Sequence, residues 1–227
     1  MLKRLFDILV SSILMIFLLP LVLIAIIGIK LTSPGPVFYN ADRMGRNIKP
    51  FAMHKFRTMD LREDAGFQIT APNDDRVFPF GNFLRRTKID ELPQFWNVLI
   101  GDMSIVGPRP ESVPIVRESY NEWMLETLQV RPGITSPGAI FGYTHEGQVL
   151  DDEDPEGSYI ANMLAPKLAI ELCYIKRANI LSDFGIMFRT ASTIAALLLG
   201  KRHFPLPMEA RDAQRYYDFS SSRFGEV

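Results

Sequence analysis

The chain has 227 residues, of which 47% are hydrophobic, and a formal net charge of -1. That length allows one domain, or one domain with appendages, and enough apolar residues for a real core. The absence of interleaved basic and aromatic patches argues against a nucleic-acid platform. The single cysteine, Cys173, excludes an internal disulfide and a cysteine-based metal site, and fits a reducing, cytoplasmic environment.

The near-neutral balance hides asymmetry. Lys3, Arg4, Lys30, Arg43, Arg46, Lys49, Lys55 and Arg57 make the start of the chain basic, while acids gather later at Asp151–Asp154. A basic block beside an apolar segment favours anionic lipid headgroups or anionic substrates. Residues 8–29 carry no charge, and at ~1.5 Å per residue they reach about 33 Å, enough to cross a bilayer core. Composition alone favours a spanning helix over a cleaved signal peptide. Pro20 near the middle and cationic flanks at both ends admit a re-entrant hairpin bent at Pro20, with both ends on the cytoplasmic side, but these features alone leave the spanning helix the preferred reading. Asp7 would then lie at headgroup level, paired with Arg4 one turn away.

Thr32–Pro36 is a strong breaker that ends this segment. Val37–Tyr39 and Phe51–Met53 read as short strands around a turn at Gly45. Met59–Ala65 reads as a short helix and Gln68–Arg76 as a loop. A helix is expected at about Asp90–Leu99, with Leu92, Phe95, Trp96 and Leu99 at helical spacing and Pro93 in its first turn. Gly101–Pro110 reads as a loop with a short apolar insert, Val113–Gln129 as a helix, and Arg131–Pro155 as irregular. Tyr159–Arg177 reads as a helix kinked at Pro166, carrying Cys173 on its apolar face. Ser182 is expected to cap a helix through Leu199. Residues 201–227 read as a peripheral tail with a short helix at Met208–Tyr217.

The chemistry concentrates at Asp90–Glu91. An acidic pair in a first helical turn is commonly a cap and nothing more. Here it follows Arg85 and Lys88, and phosphate binds at helix N-termini beside such cations. A carboxylate can hold Mg²⁺ together with substrate phosphates, and an aspartate can attack phosphorus. Gly107–Pro110 and Arg131–Gly133 each flank an arginine with rigid residues, which would fix Arg109 and Arg131 for phosphate recognition. Lys55 and Arg57, read as strand residues, would share one face. His54, His145 and His203 lack ligand spacing, and the chain has no phosphate loop of the Walker or dinucleotide type.

These motifs together resemble the bacterial sugar transferases, the monotopic polyprenyl-phosphate phosphoglycosyl transferases of the small, catalytic-core type. The matching pieces run in order: Lys3–Asp7, Ser33–Phe38, Lys55–Met59, Thr87–Leu99, Gly101–Pro110 and Arg131–Thr135. The resemblance implies an α+β, mostly helical fold. Residues 1–31 would form the re-entrant hairpin, 32–200 the interfacial catalytic domain with amphipathic helices and short strands, and 201–227 the tail. It implies a UDP-sugar donor, an undecaprenyl phosphate acceptor, and a place on the cytoplasmic face of the bacterial inner membrane, against its lipids. It implies Asp90 as nucleophile and Mg²⁺ ligand, Glu91 as its orienting partner, and release of UMP. Lys55, Arg57, Lys88 and the arginines 85, 109 and 131 would face substrate, Mg²⁺ would be the cofactor, and a homodimer is compatible with it. After Thr135 the family's Gly-Trp-Ala-Gln is replaced by Ser136–Ala139 and then Phe141–Tyr143, a segment placed to shape the sugar pocket. A non-catalytic anchored partner in a polysaccharide assembly complex, and a bitopic enzyme with an outward N-terminus, are the alternative readings.

Overall fold

The computed structural model describes residues 2–60, 74–219 and 224. It is mostly helical with short strands, as an α+β chain should be. The expected short helix and loop between residues 59 and 76 fall mainly in residues 61–73, outside the described residues.

Helices α1 (Leu2–Phe17) and α2 (Leu19–Thr32) meet at a 59° bend. Pro20 sits in the first turn of α2. Lacking an N–H, it interrupts the ladder there, while Leu18 N still donates to Leu14 O and Val22 N to Leu18 O. The α1 helix turns Leu2, Leu5, Leu9, Ile13 and Ile16 outward and buries Asp7 and Ser11. Apolar residues outside and polar residues inside reverse the arrangement of a water-facing helix.

Asp7 does not pair with Arg4. Its carboxylate accepts from Ser104 Oγ at 3.0 and 2.9 Å and from Ile105 N at 3.1 Å. Arg4 donates instead to Leu99 O at 2.8 Å and Val98 O at 2.5 Å. The physical reason is demand: the C-terminal carbonyls of a helix need donors, and a cation there also meets the negative end of the helix dipole.

Strands β1 (Phe38–Met44) and β2 (Pro50–Phe56) pair antiparallel around the expected Gly45 turn. Because β2 stops at Phe56, the alternation that would put Lys55 and Arg57 on one face ends before Arg57. That guanidinium is 2% exposed and donates to Pro36 O (2.6 Å), Ser33 Oγ (2.8 Å) and Ser33 O (2.9 Å). It also lies over the Phe78 ring. Arg57 is therefore a clamp between the end of the apolar helix pair and β2, rather than a substrate contact.

Helix α3 (Pro79–Thr87) stops at Lys88, a left-handed residue with φ 59°. A tight turn at Ile89–Glu91 follows, and only then α4 (Gln94–Ile100). The acidic pair thus lies in the turn before the helix and not within it, because α4 starts just after Pro93, which flanks it as N-cap where its missing N–H costs no helix bond. Strand β3 (Ser104–Val106) is the apolar insert of the 101–110 loop; it pairs in parallel with β4 (Gly133–Thr135).

The expected continuous helix over 113–129 is broken into α5 (Val113–Ser119), α6 (Glu122–Leu125) and a tight turn at Glu126–Gln129. Asn121 is the reason: its side chain accepts from Met124 N at 3.2 Å and starts a new helix. Within the stretch read as irregular, α7 (Pro137–His145) forms behind Ser136, whose hydroxyl accepts from Ala139 N at 2.9 Å. Helix α8 (Pro155–Tyr159) widens at Ile160–Leu164 and continues as α9 (Ala165–Arg177), so the chain accommodates Pro166 with a wide turn. Helix α10 (Ile180–Leu198) is capped by Asn179, with Ser182 returning the bond as its reciprocal partner. Helix α11 (Glu209–Ala213) packs on α9.

The largest core cluster gathers Phe141, Tyr159, Met163, Leu168 and Cys173. Residues beyond 200, expected as a peripheral tail, add Ala210, Ala213, Phe219 and Phe224 to it. Among the described residues, Ile180–Leu198 is the single helix long and apolar enough to cross a membrane, and the bent α1–α2 pair passes the same test jointly.

Replacing Arg57 with alanine leaves the buried Ser33 oxygens without the guanidinium that donates to them, and should cost about 3 kcal/mol of stability. Chemical denaturation in detergent should show a lowered midpoint. An unchanged midpoint with weakened substrate binding would return Arg57 to the substrate-facing set.

Candidate active site

The turn carrying Asp90 and Glu91 is buried between β2, the 107–110 loop and α7. Glu91 is the better satisfied of the two. Arg109 grips it as a two-pronged fork, Nη2 to Oε1 at 2.6 Å and Nη1 to Oε2 at 3.1 Å. Lys55 Nζ lies 4.0 Å from Oε1. The Tyr143 hydroxyl lies 3.5 Å from Oε2. Asp90 is also buried, yet its Oδ1 has no hydrogen-bond partner. One turn on, Gln94 is wholly buried with neither polar atom paired.

This difference separates the two carboxyls electrostatically. Burial, then the neighbouring Glu91 charge, pushes the Asp90 carboxyl above its ordinary range, against the pull of Lys55, Lys88 and Arg85. Burial acts against the Glu91 anion too, but Arg109, Lys55 and Lys88 outweigh it and hold its carboxyl well below the usual carboxylate range. Burial pushes the Lys55 ammonium down to about 8, with Glu91 opposing the shift. Two carboxyls pushed apart in this way suit two different roles. Glu91 is committed to its cations. Asp90 retains an oxygen that no described residue occupies.

The expected site residues divide accordingly. Lys55, Lys88, Asp90, Glu91 and Arg109 come together. Arg85 stands close enough to act on Asp90; its Nε donates to Thr58 Oγ1 at 2.8 Å. Arg57 is the clamp described above. Arg131 is also engaged structurally: its Nε donates to Gly101 O at 2.8 Å, at the end of α4. The rigid Arg131–Gly133 segment serves packing, since a Cβ on Gly133 would come within 2.1 Å of Gly107 N.

Three contributors had no place among the expected site residues. Tyr143, from α7, puts its ring 3.9 Å below Lys88 Nζ. Gln94 is the unpaired carboxamide. Glu171, from α9, accepts from the Arg109 main-chain N at 3.2 Å and from Ser136 Oγ at 2.5 Å, and so ties the arginine's loop to the start of α7. Its signal in the sequence is a lone carboxylate inside the apolar run Leu168–Cys173. Burial pushes the Glu171 carboxyl up to about 7. Behind it, Glu111 accepts from Lys167 Nζ and Tyr159 Oη, both at 2.5 Å, forming a buried charged layer under the site.

Among the described residues no three acidic, histidine or cysteine side chains gather as a metal cage. Mg²⁺ does not need one, because it commonly takes one or two carboxylates and completes its shell with substrate phosphate and water. The vacant acceptor Asp90 Oδ1 fits that mode. Beside the pair, an apolar cavity of about 360 Å³ runs to the α1–α2 bend, with Met15, Leu18, Val22, Phe56, Leu92 and Trp96 in its lining. The site thus faces cations on one side and a greasy groove on the other.

Comparison with known proteins identifies the family. Residues 1–196 fit the family model described as bacterial sugar transferase. A UDP-glucose:undecaprenyl-phosphate glucose-1-phosphate transferase of Klebsiella pneumoniae is 39% identical over 196 residues, covering 83% of this chain and 39% of the relative. A UDP-N-acetylgalactosamine-undecaprenyl-phosphate N-acetylgalactosaminephosphotransferase of Aeromonas hydrophila is 37% identical, covering 85% of this chain and 43% of the relative. The chain therefore spans about two fifths of the length of these curated relatives. The exopolysaccharide production protein PSS of Rhizobium leguminosarum bv. phaseoli is 36% identical over 207 residues, covering 88% of this chain and 97% of that protein. With most of its length under one family model and with these relatives, the chain belongs to the bacterial sugar transferase family.

Proposed function

We propose that this protein transfers a sugar 1-phosphate from a UDP-sugar to undecaprenyl phosphate, releasing UMP. The observation that carries this reading is the buried Asp90–Glu91 pair, ringed by Lys55, Lys88, Arg85 and Arg109 and opening beside an apolar groove. The cations outnumber the carboxylates, which suits a diphosphate. The groove suits the first units of a polyprenyl chain. The names of the relatives carry different sugars, glucose and N-acetylgalactosamine, so the family does not fix the sugar.

The mechanism follows from which oxygen is free. Asp90 attacks the phosphorus that bears the sugar, its new P–O bond replaces the bond to the bridging oxygen, and UMP departs with that oxygen. The acceptor phosphate then attacks the same phosphorus. The acyl phosphate bond breaks, the Asp90 carboxylate is restored, and a polyprenyl diphosphate sugar leaves. Glu91, locked to Arg109, aims that arginine at the transferred phosphate. Lys55 and Lys88 offset the charge that collects on the departing UMP. Mg²⁺, held by Asp90 together with the substrate phosphates, would supply further neutralisation of the diphosphate. One site serves two substrates in turn, so the kinetics are ping-pong.

The bent α1–α2 pair acts as a re-entrant hairpin on the cytoplasmic face of the inner membrane. Its outward apolar stripe, and the exposed Leu181, Phe184 and Phe188 of α10, contact lipid. Trp96, half exposed on the same side as the groove, suits the headgroup layer.

UMP release from UDP-sugars with undecaprenyl phosphate and Mg²⁺ should fall about 10³-fold or more in Asp90→Asn; equal rates in the two proteins would remove Asp90 as nucleophile. The free-protein ionisations set the pH profile of kcat/KM. The Lys55 ammonium is charged below about 8 and neutral above it, so kcat/KM should decline as pH rises through about 8. The raised Asp90 carboxyl gives the acid limb. Lys55→Arg should hold its charge and flatten the alkaline decline; an unaltered decline would assign it to another group. For topology, Leu2→Cys should resist an impermeant maleimide in intact cells and react after permeabilisation. Labelling from outside would overturn the hairpin.

A further inference from the structure

Lys88 and Tyr143 form a contact that neither the Asp90 chemistry nor the family motifs require. Lys88 sits one residue past α3 with φ 59°, a left-handed conformation that a side chain disfavours and that concentrates at functional sites. The conformation brings its Nζ 3.9 Å from the centre of the Tyr143 ring. Lys88 forms no ion pair among the described residues, in contrast to Lys55 and Arg109, both of which face Glu91. An ammonium held on a neutral ring keeps its whole charge for an incoming anion, whereas one held by a carboxylate has spent it.

The ring itself is well fixed. Tyr143 lies on α7, whose start is tied down by Ser136 and Glu171, and the neighbouring Phe141 and Gly142 are buried. Its hydroxyl stands 3.4 Å from Arg109 Nη1 and 3.5 Å from Glu91 Oε2, at the edge of the fork. One side chain therefore meets Lys88 with its face and the Glu91–Arg109 pair with its tip. It occurs in the segment where this chain departs from the family's Gly-Trp-Ala-Gln.

We propose that Tyr143 is a positioning residue for donor recognition, its ring holding Lys88 outside any direct ion pair and aimed at the donor diphosphate alongside Arg109. This rests on the transferase reading. The face does the holding, so a phenylalanine should suffice and an aliphatic residue should not. Acceptor handling should be insensitive, since Tyr143 does not line the apolar groove.

The test is a double-mutant cycle on UMP release, with KM measured separately for UDP-sugar and undecaprenyl phosphate. Tyr143→Leu should raise the donor KM about 10-fold, with the acceptor KM unchanged. Tyr143→Phe, which keeps the ring face, should raise the donor KM far less than Tyr143→Leu and lose only what the hydroxyl adds at the Glu91–Arg109 fork. Lys88→Met should raise the donor KM by itself, and adding Tyr143→Leu to it should cost little more, because the ring acts through the lysine. Additive effects, or an unchanged donor KM in Tyr143→Leu, would overturn the proposal while leaving the transferase reading intact. A merely structural role would instead lower kcat and melting temperature and leave the cycle additive. Should the leucine variant lose its thermal transition, Tyr143→Met replaces it in the cycle, filling similar volume without a ring. Wild-type protein that releases no UMP from any UDP-sugar would defeat the transferase reading, and this proposal with it.

Discussion

The site depends on the fork between Arg109 and Glu91. Two adjacent carboxyls removed from water cannot both stay ionised without cations to meet them. Arg109 meets one of them fully, at 2.6 and 3.1 Å, and that commitment leaves Asp90 as the member with an unpaired oxygen among the described residues. The bond also joins parts of the chain that have no other reason to meet: the turn after α3 and the loop after β3. Tyr143 of α7 and Lys55 of β2 close around it. A buried ion pair of this kind is poor evidence for stability by itself, since desolvation offsets much of the attraction. Its value here lies in geometry.

That geometry is supported from behind. Glu171 accepts from the Arg109 backbone and from Ser136, so α9 fixes both the arginine's loop and the start of the helix bearing Tyr143. The fit leaves no slack: a Cβ on Gly138 would stand 2.5 Å from Glu171 Oε1. Below lies the layer of Glu111, Lys167 and Tyr159, with every partner buried. On the other flank, Asp7 and Arg4 of the apolar helix bind β3 and the end of α4. The apolar helix pair is thus bolted to the elements that hold the Asp90–Glu91 turn, so in the proposed reading it would set the height of that turn relative to the bilayer.

Much of this was legible in the chain, because it rests on local chemistry. The apolar run, the bend at Pro20, the Gly45 hairpin and the acidic pair among cations all follow from neighbours in sequence. What escaped rests on distant partners. Asp7 and Arg4 look like headgroup residues until the carbonyls and amides near residue 100 claim them. Arg57 looks like a strand residue on a substrate face, but the strand ends one residue earlier and Ser33 and Pro36 claim its guanidinium. Two glycines and a proline make the stretch holding α7 look irregular, although Ser136 followed by Pro137 is a helix-start signal. Glu171 and Tyr143 gain meaning only once α7 and α9 lie against the arginine loop.

The central claim is that the carboxyl with the unoccupied oxygen becomes covalently loaded. Mass spectrometry of the protein quenched after exposure to UDP-sugar and Mg²⁺, with no acceptor present, tests it most directly. The account predicts a mass increase of one phosphosugar, located on the peptide containing Asp90 and discharged when undecaprenyl phosphate is added. A protein that turns over both substrates yet never carries the adduct, or carries it on another residue, would contradict it.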